Sequence, residues 1–94
     1  MLESAIERRL VAECRRRGLW TRKFASPAHR GVPDRVICGN GKTLFLELKR
    51  EGQAPTALQL HELTLIRAAG IAAEWSAGWT PTLAVLNRHF PECI

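Results

Sequence analysis

Two acidic residues and a lysine, Asp34, Glu47 and Lys49, have the types and spacing expected of a hydrolytic metal site. Alternate side chains of an extended strand share a face, so the Lys49 ammonium would point the same way as the Glu47 carboxylate. Two carboxylates offer oxygen ligands to a divalent cation, and a nearby lysine can stabilise negative charge. The pattern predicts a divalent-cation site with a cationic group beside it.

A hairpin between the two acids would bring them together. The segment Gly39-Asn40-Gly41 separates two apolar runs, and an Asn-Gly pair suits a type I′ turn because both central residues need positive φ. We expect strands over Arg35–Cys38 and Thr43–Arg50 to pair through this turn. The loop that holds Asp34 would then lie close to Glu47. The opposite face of the second strand would carry Leu44, Leu46 and Leu48.

A first helix is predicted over residues 3–17, with Gly18 suited to its C-terminal end. The apolar stripe of this helix consists of Ile6, Leu10, Val11 and Cys14. Glu7 lies on the same stripe, and an inward carboxylate needs a metal or a cation because an unpaired buried charge is costly. A local alternative exists, since Ser4-Ala5-Ile6-Glu7 is also a capping box in which Glu7 would accept from the Ser4 amide. The spacing alone leaves both explanations open.

Gln59 has two possible roles. The segment Thr56-Ala57-Leu58-Gln59 forms a second capping box at the start of a predicted helix over Thr56–Ala69. The same side chain falls on the side of Leu63 and Ile66, which points it toward the sheet. The sequence therefore leaves two roles open for Gln59, a helix cap and a contact in the predicted metal site.

The remaining segments complete an αβββαβα order, which predicts an α/β fold with a mixed sheet flanked by helices. Polar loops over Ala25–Pro33 and Glu51–Pro55 connect these elements. The further predicted elements are a strand over Leu19–Phe24, a strand over Ile71–Ala77, and a helix capped by Thr80 that runs to about Phe90 with an apolar face of Leu83, Leu86 and Phe90.

Fourteen Lys and Arg residues against nine Asp and Glu residues give the 94-residue chain a net charge of +5. This balance favours polyanionic partners, although an ordinary basic protein carries similar charge. No apolar run approaches the roughly 20 residues needed to span a bilayer, and the N-terminus has no secretory apolar region. We expect one cytoplasmic domain over residues 1–94, and its modest size makes a homodimer a reasonable expectation.

Three cysteines, Cys14, Cys38 and Cys93, show no C-x-x-C spacing. Their odd number predicts reduced thiols, and the absence of a His/Cys cluster argues against zinc. Oxygen ligands alone favour Mg²⁺, with Mn²⁺ as a substitute.

The strand over Leu19–Phe24 and the loop after it carry donors that suit phosphate. Hydroxyl, imidazole and guanidinium groups all donate to phosphate oxygens. The predicted DNA contacts are Ser26, His29, Arg30, Arg22 and Lys23. For Arg22 and Lys23, an ordinary solvated charge is the alternative.

The segments Pro33-Asp34 and Glu47-Leu48-Lys49 together resemble the PD-(D/E)xK nuclease signature. The surrounding Ser26-Pro27 and Arg30-Gly31-Val32-Pro33-Asp34-Arg35-Val36 are similar to the VRR-NUC branch of that superfamily. The resemblance runs from Glu3 to about Gly70 and departs from the family pattern at Ala28-His29. The resemblance implies a restriction-endonuclease-like core. Small free-standing domains of this branch resemble Holliday-junction resolvases, so it also implies a likeness to those enzymes.

The resemblance also implies residue roles. Asp34 and Glu47 would hold the metal, with the Leu48 backbone carbonyl and the helical Glu7 as further ligands. Lys49 would orient or deprotonate the attacking water, or stabilise charge that develops on the phosphate. Gln59 would make a polar contact near this lysine or near the scissile phosphate. No nucleotide cofactor is expected.

The predicted function is a metal-dependent, structure-selective DNA endonuclease that acts as a homodimer on branched DNA such as four-way junctions. A flap or duplex nuclease, or a nickase, would use the same chemistry. Two alternatives are not enzymes. One is a non-catalytic nucleic-acid-binding module that keeps the nuclease fold, and the other is a small structural protein whose positive charge is incidental. A compact nuclease of this kind would suit a phage or a bacterium.

Overall fold

The structure is a computed structural model that describes the backbone of residues 1–93 and the side chains as far as Glu92. The predicted thiol of Cys93 therefore lies outside the described side chains. The helices and strands, in chain order, are α1 (Glu3–Arg16), β1 (Trp20–Lys23), β2 (Arg35–Gly39), β3 (Lys42–Lys49), α2 (Ala57–Ala68), β4 (Ala72–Ala77), α3 (Trp79–His89) and a short 3₁₀ helix (Pro91–Cys93). The predicted αβββαβα order is confirmed.

The four strands form one mixed sheet in the order β1-β2-β3-β4. β1 pairs with β2 and β2 with β3 in antiparallel fashion, whereas β3 and β4 are parallel. The predicted hairpin is present, since Gly39 faces Lys42 and the two residues between them, Asn40 and Gly41, have φ values of 51° and 76°. These positive φ values are those that a type I′ turn requires. Helix α2 provides the crossover that parallel strands need.

The main core lies on the face of the sheet that α1 and α3 cover. Leu44, Leu46 and Leu48 of β3 are buried there, as the alternation of side chains predicts. The helices and the segment after α3 contribute Ile6, Leu10, Cys14, Val85, Leu86 and Phe90 to this core. Helix α2 packs on the other face, which carries Glu47, and Leu63 is its one buried residue. Strand β3 is thus covered by helices on both sides.

Helix α1 starts at residue 3 as predicted, but two predicted helix caps are wrong. The residue that caps α1 is Leu2, and no side chain caps the helix, so the Ser4–Glu7 capping box does not form because Ser4 already lies inside the first turn. Helix α3 begins at Trp79 after Gly78, not after a Thr80 cap. Gly78 has a φ of 92°, and its N–H donates to the Lys49 carbonyl, which starts the helix directly from the sheet edge.

Across residues 1–93, no helix combines the length and the apolar character that a membrane crossing would need.

Candidate active site

Asp34 lies against the C-terminal end of β3. Its Oδ2 accepts a hydrogen bond of 2.9 Å from the Leu48 N–H, and its own backbone carbonyl accepts one of 2.8 Å from the Phe24 N–H. Asp34 immediately precedes β2, so the β2–β3 hairpin determines which part of β3 it faces. The structure therefore places Asp34 beside the segment that contains Glu47, as the hairpin predicts.

Glu47 is the buried centre of the site. Its side chain is only 2% exposed, and its Oε2 lies 3.6 Å from the Lys49 ammonium. Its Oε1 is buried and has no hydrogen-bond partner among the described residues. Burial, together with the negative charge of Asp34, raises the pKa of Glu47 to about 8, against an opposing effect from Lys49.

Gln59 performs both of the roles considered for it. Its N–H donates to the Thr56 hydroxyl at 3.1 Å and its Oε1 accepts from the Thr56 N–H at 2.9 Å, which closes the capping box. Its Nε2 meanwhile donates to Glu47 Oε2 at 3.2 Å. One side-chain amide thus fixes the start of α2 and holds a carboxylate on β3.

The third acid of the site is Glu3, which the sequence interpretation missed. Carboxylate oxygens of Glu3, Asp34 and Glu47 all lie within 4.8 Å of one another. Glu7, the helical acid predicted as a ligand, is not part of this group. Its carboxylate instead pairs with Arg35 at 3.3 Å and with Lys23 at 3.9 Å.

The geometry of α1 explains how either Glu3 or Glu7 could have been the acid beside Asp34 and Glu47. The two residues are four positions apart, so they lie on the same face of α1 one turn from each other. Glu3, although exposed, is the acid of α1 that lies beside Asp34 and Glu47, and it is the first residue of the helix. Glu7, one turn further along, reaches Arg35 at the start of β2.

The residues of the cluster suit a hard divalent cation. Three carboxylates within 4.8 Å offer only oxygen donors, which Mg²⁺ and Mn²⁺ prefer. Such a grouping of negative charge is unfavourable alone, and the unpartnered Glu47 Oε1 is a further site for a ligand bond. The donor set therefore fits the predicted class of metal.

Gly31 fixes the loop that delivers Asp34. It has a φ of 84°, and a Cβ at this position would lie 2.9 Å from the Leu58 Cγ and 3.1 Å from the Leu58 backbone. Only glycine allows the loop to pass this close to α2 in that conformation. The backbone at Gly31 thus approaches α2 closely.

Among the described residues, the predicted DNA contacts do not bond to the three acids of the cluster. Arg22, Lys23, His29 and Arg30 are exposed, and Ser26 is half-buried. Ser26 and His29 line a hollow of about 370 Å³ against α2. No hydrogen bond or ion pair in the described part of the chain joins these five side chains to Glu3, Asp34 or Glu47.

The fold has clear relatives among solved structures. A protein described as a VRR_NUC domain superposes with a TM-score of 0.82 at 22% identity, covering 94% of this chain and 96% of that one. A second VRR_NUC domain protein gives a TM-score of 0.80 at 15% identity, covering 97% and 89%. No family model matches the sequence.

A sequence relative decides the family. The chain is 46% identical over 69 residues to "Putative nuclease p44" of Acyrthosiphon pisum secondary endosymbiont phage 1, an alignment that covers 72% of this chain and 74% of that protein. The chain belongs to the same nuclease family as this phage protein, and its fold is that of the VRR_NUC domains. The VRR-NUC fold is also shared, at a TM-score of 0.61 and 24% identity, by Hjc of Archaeoglobus fulgidus, a Holliday junction resolvase from an archaeal hyperthermophile. That match covers 80% of this chain and 67% of Hjc. The predicted family and restriction-endonuclease-like fold are confirmed.

Proposed function

We propose that this VRR-NUC protein is a Mg²⁺-dependent endonuclease that hydrolyses phosphodiester bonds in branched DNA, four-way junctions included, as a homodimer. The observation that carries the proposal is the buried Glu47, which lies within reach of two further carboxylates and a lysine. A charge arrangement of this kind is costly unless it binds a cation. Its position on β3 of a nuclease fold points to hydrolysis.

The ligands proposed for the metal are Asp34, Glu47 and the backbone carbonyl of Leu48. Glu3 replaces Glu7 as the helical ligand, because Glu3 is the acid that meets the cluster. A divalent cation bound there would polarise a phosphate oxygen and lower the pKa of a bound water. Mn²⁺ would substitute for Mg²⁺, since it accepts the same oxygen ligands.

Lys49 and Gln59 complete the proposed chemistry. The Lys49 ammonium, 3.6 Å from Glu47, is positioned to orient or deprotonate the attacking water, or to offset negative charge on the phosphate during attack. Gln59 restricts the Glu47 carboxylate through its 3.2 Å hydrogen bond. The carboxylate thus keeps one orientation while substrate binds.

The DNA backbone would be held by the exposed donors near the site. Arg22, Lys23 and Arg30 supply positive charge, while Ser26 and His29 supply polar donors to phosphate oxygens. The net charge of +5 favours such binding. The likeness of the fold to the Hjc resolvase supports branched DNA as the substrate, and a two-fold dimer would present two sites to opposing strands.

The phage relative supports a location in the cytoplasm of a bacterium or of a phage-infected host. A DNA substrate is present in that compartment, and the thiols predicted to be reduced agree with it.

Cleavage of labelled four-way junction, flap and duplex DNA in Mg²⁺, Mn²⁺ or EDTA tests the proposal. Asp34→Asn and Lys49→Ala proteins are compared with Glu62→Gln, a control that removes an acid of α2 outside the cluster. We expect junction cleavage only with metal, abolished in the first two variants and kept in the control. Cutting confined to flaps or duplex would remove the junction preference, and intact binding without any cutting would favour a non-catalytic binding module.

A further inference from the structure

A groove runs between α1 and β1, the edge strand of the sheet. Two neighbouring cavities of about 440 and 400 Å³ form it, and they share Val11 and Arg15 in their walls. One end lies at Glu7, one helical turn beyond Glu3, and the other lies at Gly18 and Trp20. At 1.5 Å per residue, the part along α1, from Glu7 to Arg15, is roughly 12 Å long. The groove therefore extends from Glu7, one helical turn past Glu3, to the far end of the helix.

The groove has cations on both walls. Arg8 and Arg15 line it from α1, and Arg22 and Lys23 line it from β1. Its single acidic residue, Glu7, is already paired with Arg35 and Lys23. Arg8 and Arg15 are exposed and form no hydrogen bond or ion pair within the described residues. This excess of unpaired positive charge complements a polyanion.

The floor of the groove is apolar between those cations. Val11 and Ala12 lie on α1 between Arg8 and Arg15, which places them on the same helix face. Trp20 lies at the far end with 48% of its surface exposed, and the Arg22 guanidinium sits 4.9 Å from its ring. Cations that flank apolar and aromatic surface suit unpaired bases, which can stack on the floor while their phosphates meet the arginines. A duplex keeps its bases inside and offers mainly phosphates.

We propose that the groove between α1 and β1 binds an unpaired single strand of nucleic acid and leads it toward Glu3 and the metal cluster. The inference rests on the proposed nuclease function and deepens it, because it identifies an unpaired strand at a branch point, such as the free strand of a flap, as the part of the substrate that this surface recognises. The chemistry required of the occupant is a flexible phosphate backbone with accessible base faces.

Binding in EDTA tests the groove separately from cleavage. Fluorescence anisotropy of a labelled 12-nucleotide single strand and of a 12-base-pair duplex is measured over a range of salt concentrations. The test protein is Arg8→Gln/Arg15→Gln, and the matched control is Lys42→Gln/Arg88→Gln. The control also removes two exposed positive charges, but from residues outside the groove that pair with Glu92 and Glu74.

We expect the groove variant to bind the single strand at least tenfold more weakly than the control does. The slope of log Kd against log salt should fall by roughly 1.4, because each phosphate of a single strand that is no longer neutralised by a cation lowers it by about 0.7. Trp20→Leu should weaken single-strand binding about fivefold or more while it leaves duplex binding unchanged, because only exposed bases can stack. An Arg8→Lys/Arg15→Lys protein should recover most of the affinity, which separates charge from folding.

Three results would contradict the proposal that the groove binds a single strand. The first is single-strand binding that is weakened equally in the groove variant and the control. The others are unchanged single-strand binding in Trp20→Leu, and duplex binding as tight as single-strand binding. A change of oligomeric state in the groove variant, with its affinity intact, would also overturn it by indicating an interface between protein copies. If the wild-type protein cleaved DNA but did not bind the single strand, the groove proposal alone would be refuted. Intact groove binding without metal-dependent cleavage would refute the proposed function instead.

Discussion

Gln59 on α2 donates a 3.2 Å hydrogen bond to Glu47 on β3 while the same side chain closes the capping box with Thr56. The start of α2 and the position of a buried carboxylate therefore depend on one residue. Because Glu47 also faces Asp34 and Lys49, any movement of α2 is transmitted to the cluster. This connection joins the stability of a helix end to the geometry of the site.

Substitutions at Gln59 and Thr56 separate these two functions. Thr56→Ala and Gln59→Ala should each cost about 1 kcal/mol of unfolding free energy, the usual effect of removing a helix cap. Only Gln59→Ala should slow single-turnover cleavage, by about tenfold, because only it frees the Glu47 carboxylate. Urea denaturation and cleavage rates with Mg²⁺ measure the two effects. Equal rates in the two variants would show that the hydrogen bond to Glu47 is not used.

The roles of Glu3 and Glu7 can be separated in the same way. Glu3→Gln should abolish metal-dependent cleavage and leave the metal-free protein as stable as before, because Glu3 is exposed and repelled by its neighbours. Glu7→Gln should retain most cleavage and reduce the unfolding free energy by about 1–2 kcal/mol, because Arg35 loses its anionic partner. If Glu7→Gln were the inactive protein, the assignment of Glu3 to the metal site would be wrong.

The raised pKa of Glu47, about 8 against an ordinary 4.5, sets a pH dependence. Between these values the folded, metal-free protein binds a proton that the unfolded chain releases, so its stability should fall as pH rises through this window. A metal must displace that proton, so Mn²⁺ affinity should rise by up to about tenfold per pH unit between pH 6 and 8. Calorimetric titrations with Mn²⁺ at pH 6 and pH 8 measure this change in affinity. A pH-independent affinity would contradict the proposal that Glu47, with its raised pKa, is a metal ligand.

Gly31 provides a test of the loop before Asp34. Gly31→Ala should reduce the unfolding free energy by about 2–3 kcal/mol, because a positive φ is combined with a Cβ that approaches Leu58 too closely. Gly52→Ala is the matched control, since Gly52 has a φ of 86° and nothing within 4 Å of the added Cβ. The control should lose only about 1–2 kcal/mol from the backbone strain. Equal thermal and urea stability of the two variants would remove the proposed role of the close approach to Leu58.

Short-range rules explain what could be predicted from the sequence. The Asn-Gly turn and the alternation in β3 were enough to place Asp34 beside Glu47 and Lys49, because both features act over a few residues. The capping box at Thr56 was predicted for the same reason. The second hydrogen bond of Gln59 was predicted only as a direction toward the sheet, because a capping pattern does not specify what lies beyond the helix.

The parts that were missed depend on how α1 and α3 dock on the sheet. The start of α1 at residue 3 agrees with the prediction, but the capping pattern of Ser4 and Glu7 is not used, and Glu3 lies beside Asp34 and Glu47. Helix α3 likewise starts at Trp79 because the Gly78 N–H binds the Lys49 carbonyl across the sheet edge. Such contacts link residues far apart in the chain, and local sequence patterns do not specify them.

The most direct test of the proposed chemistry is the single-turnover rate of four-way junction cleavage with and without Mg²⁺, for the wild-type protein and for Asp34→Asn. We expect cleavage that requires Mg²⁺ and falls at least a hundredfold in the variant, since the removal of a catalytic metal ligand takes away several kcal/mol of charge stabilisation. Equal wild-type rates in Mg²⁺ and EDTA, or full activity of Asp34→Asn, would contradict it.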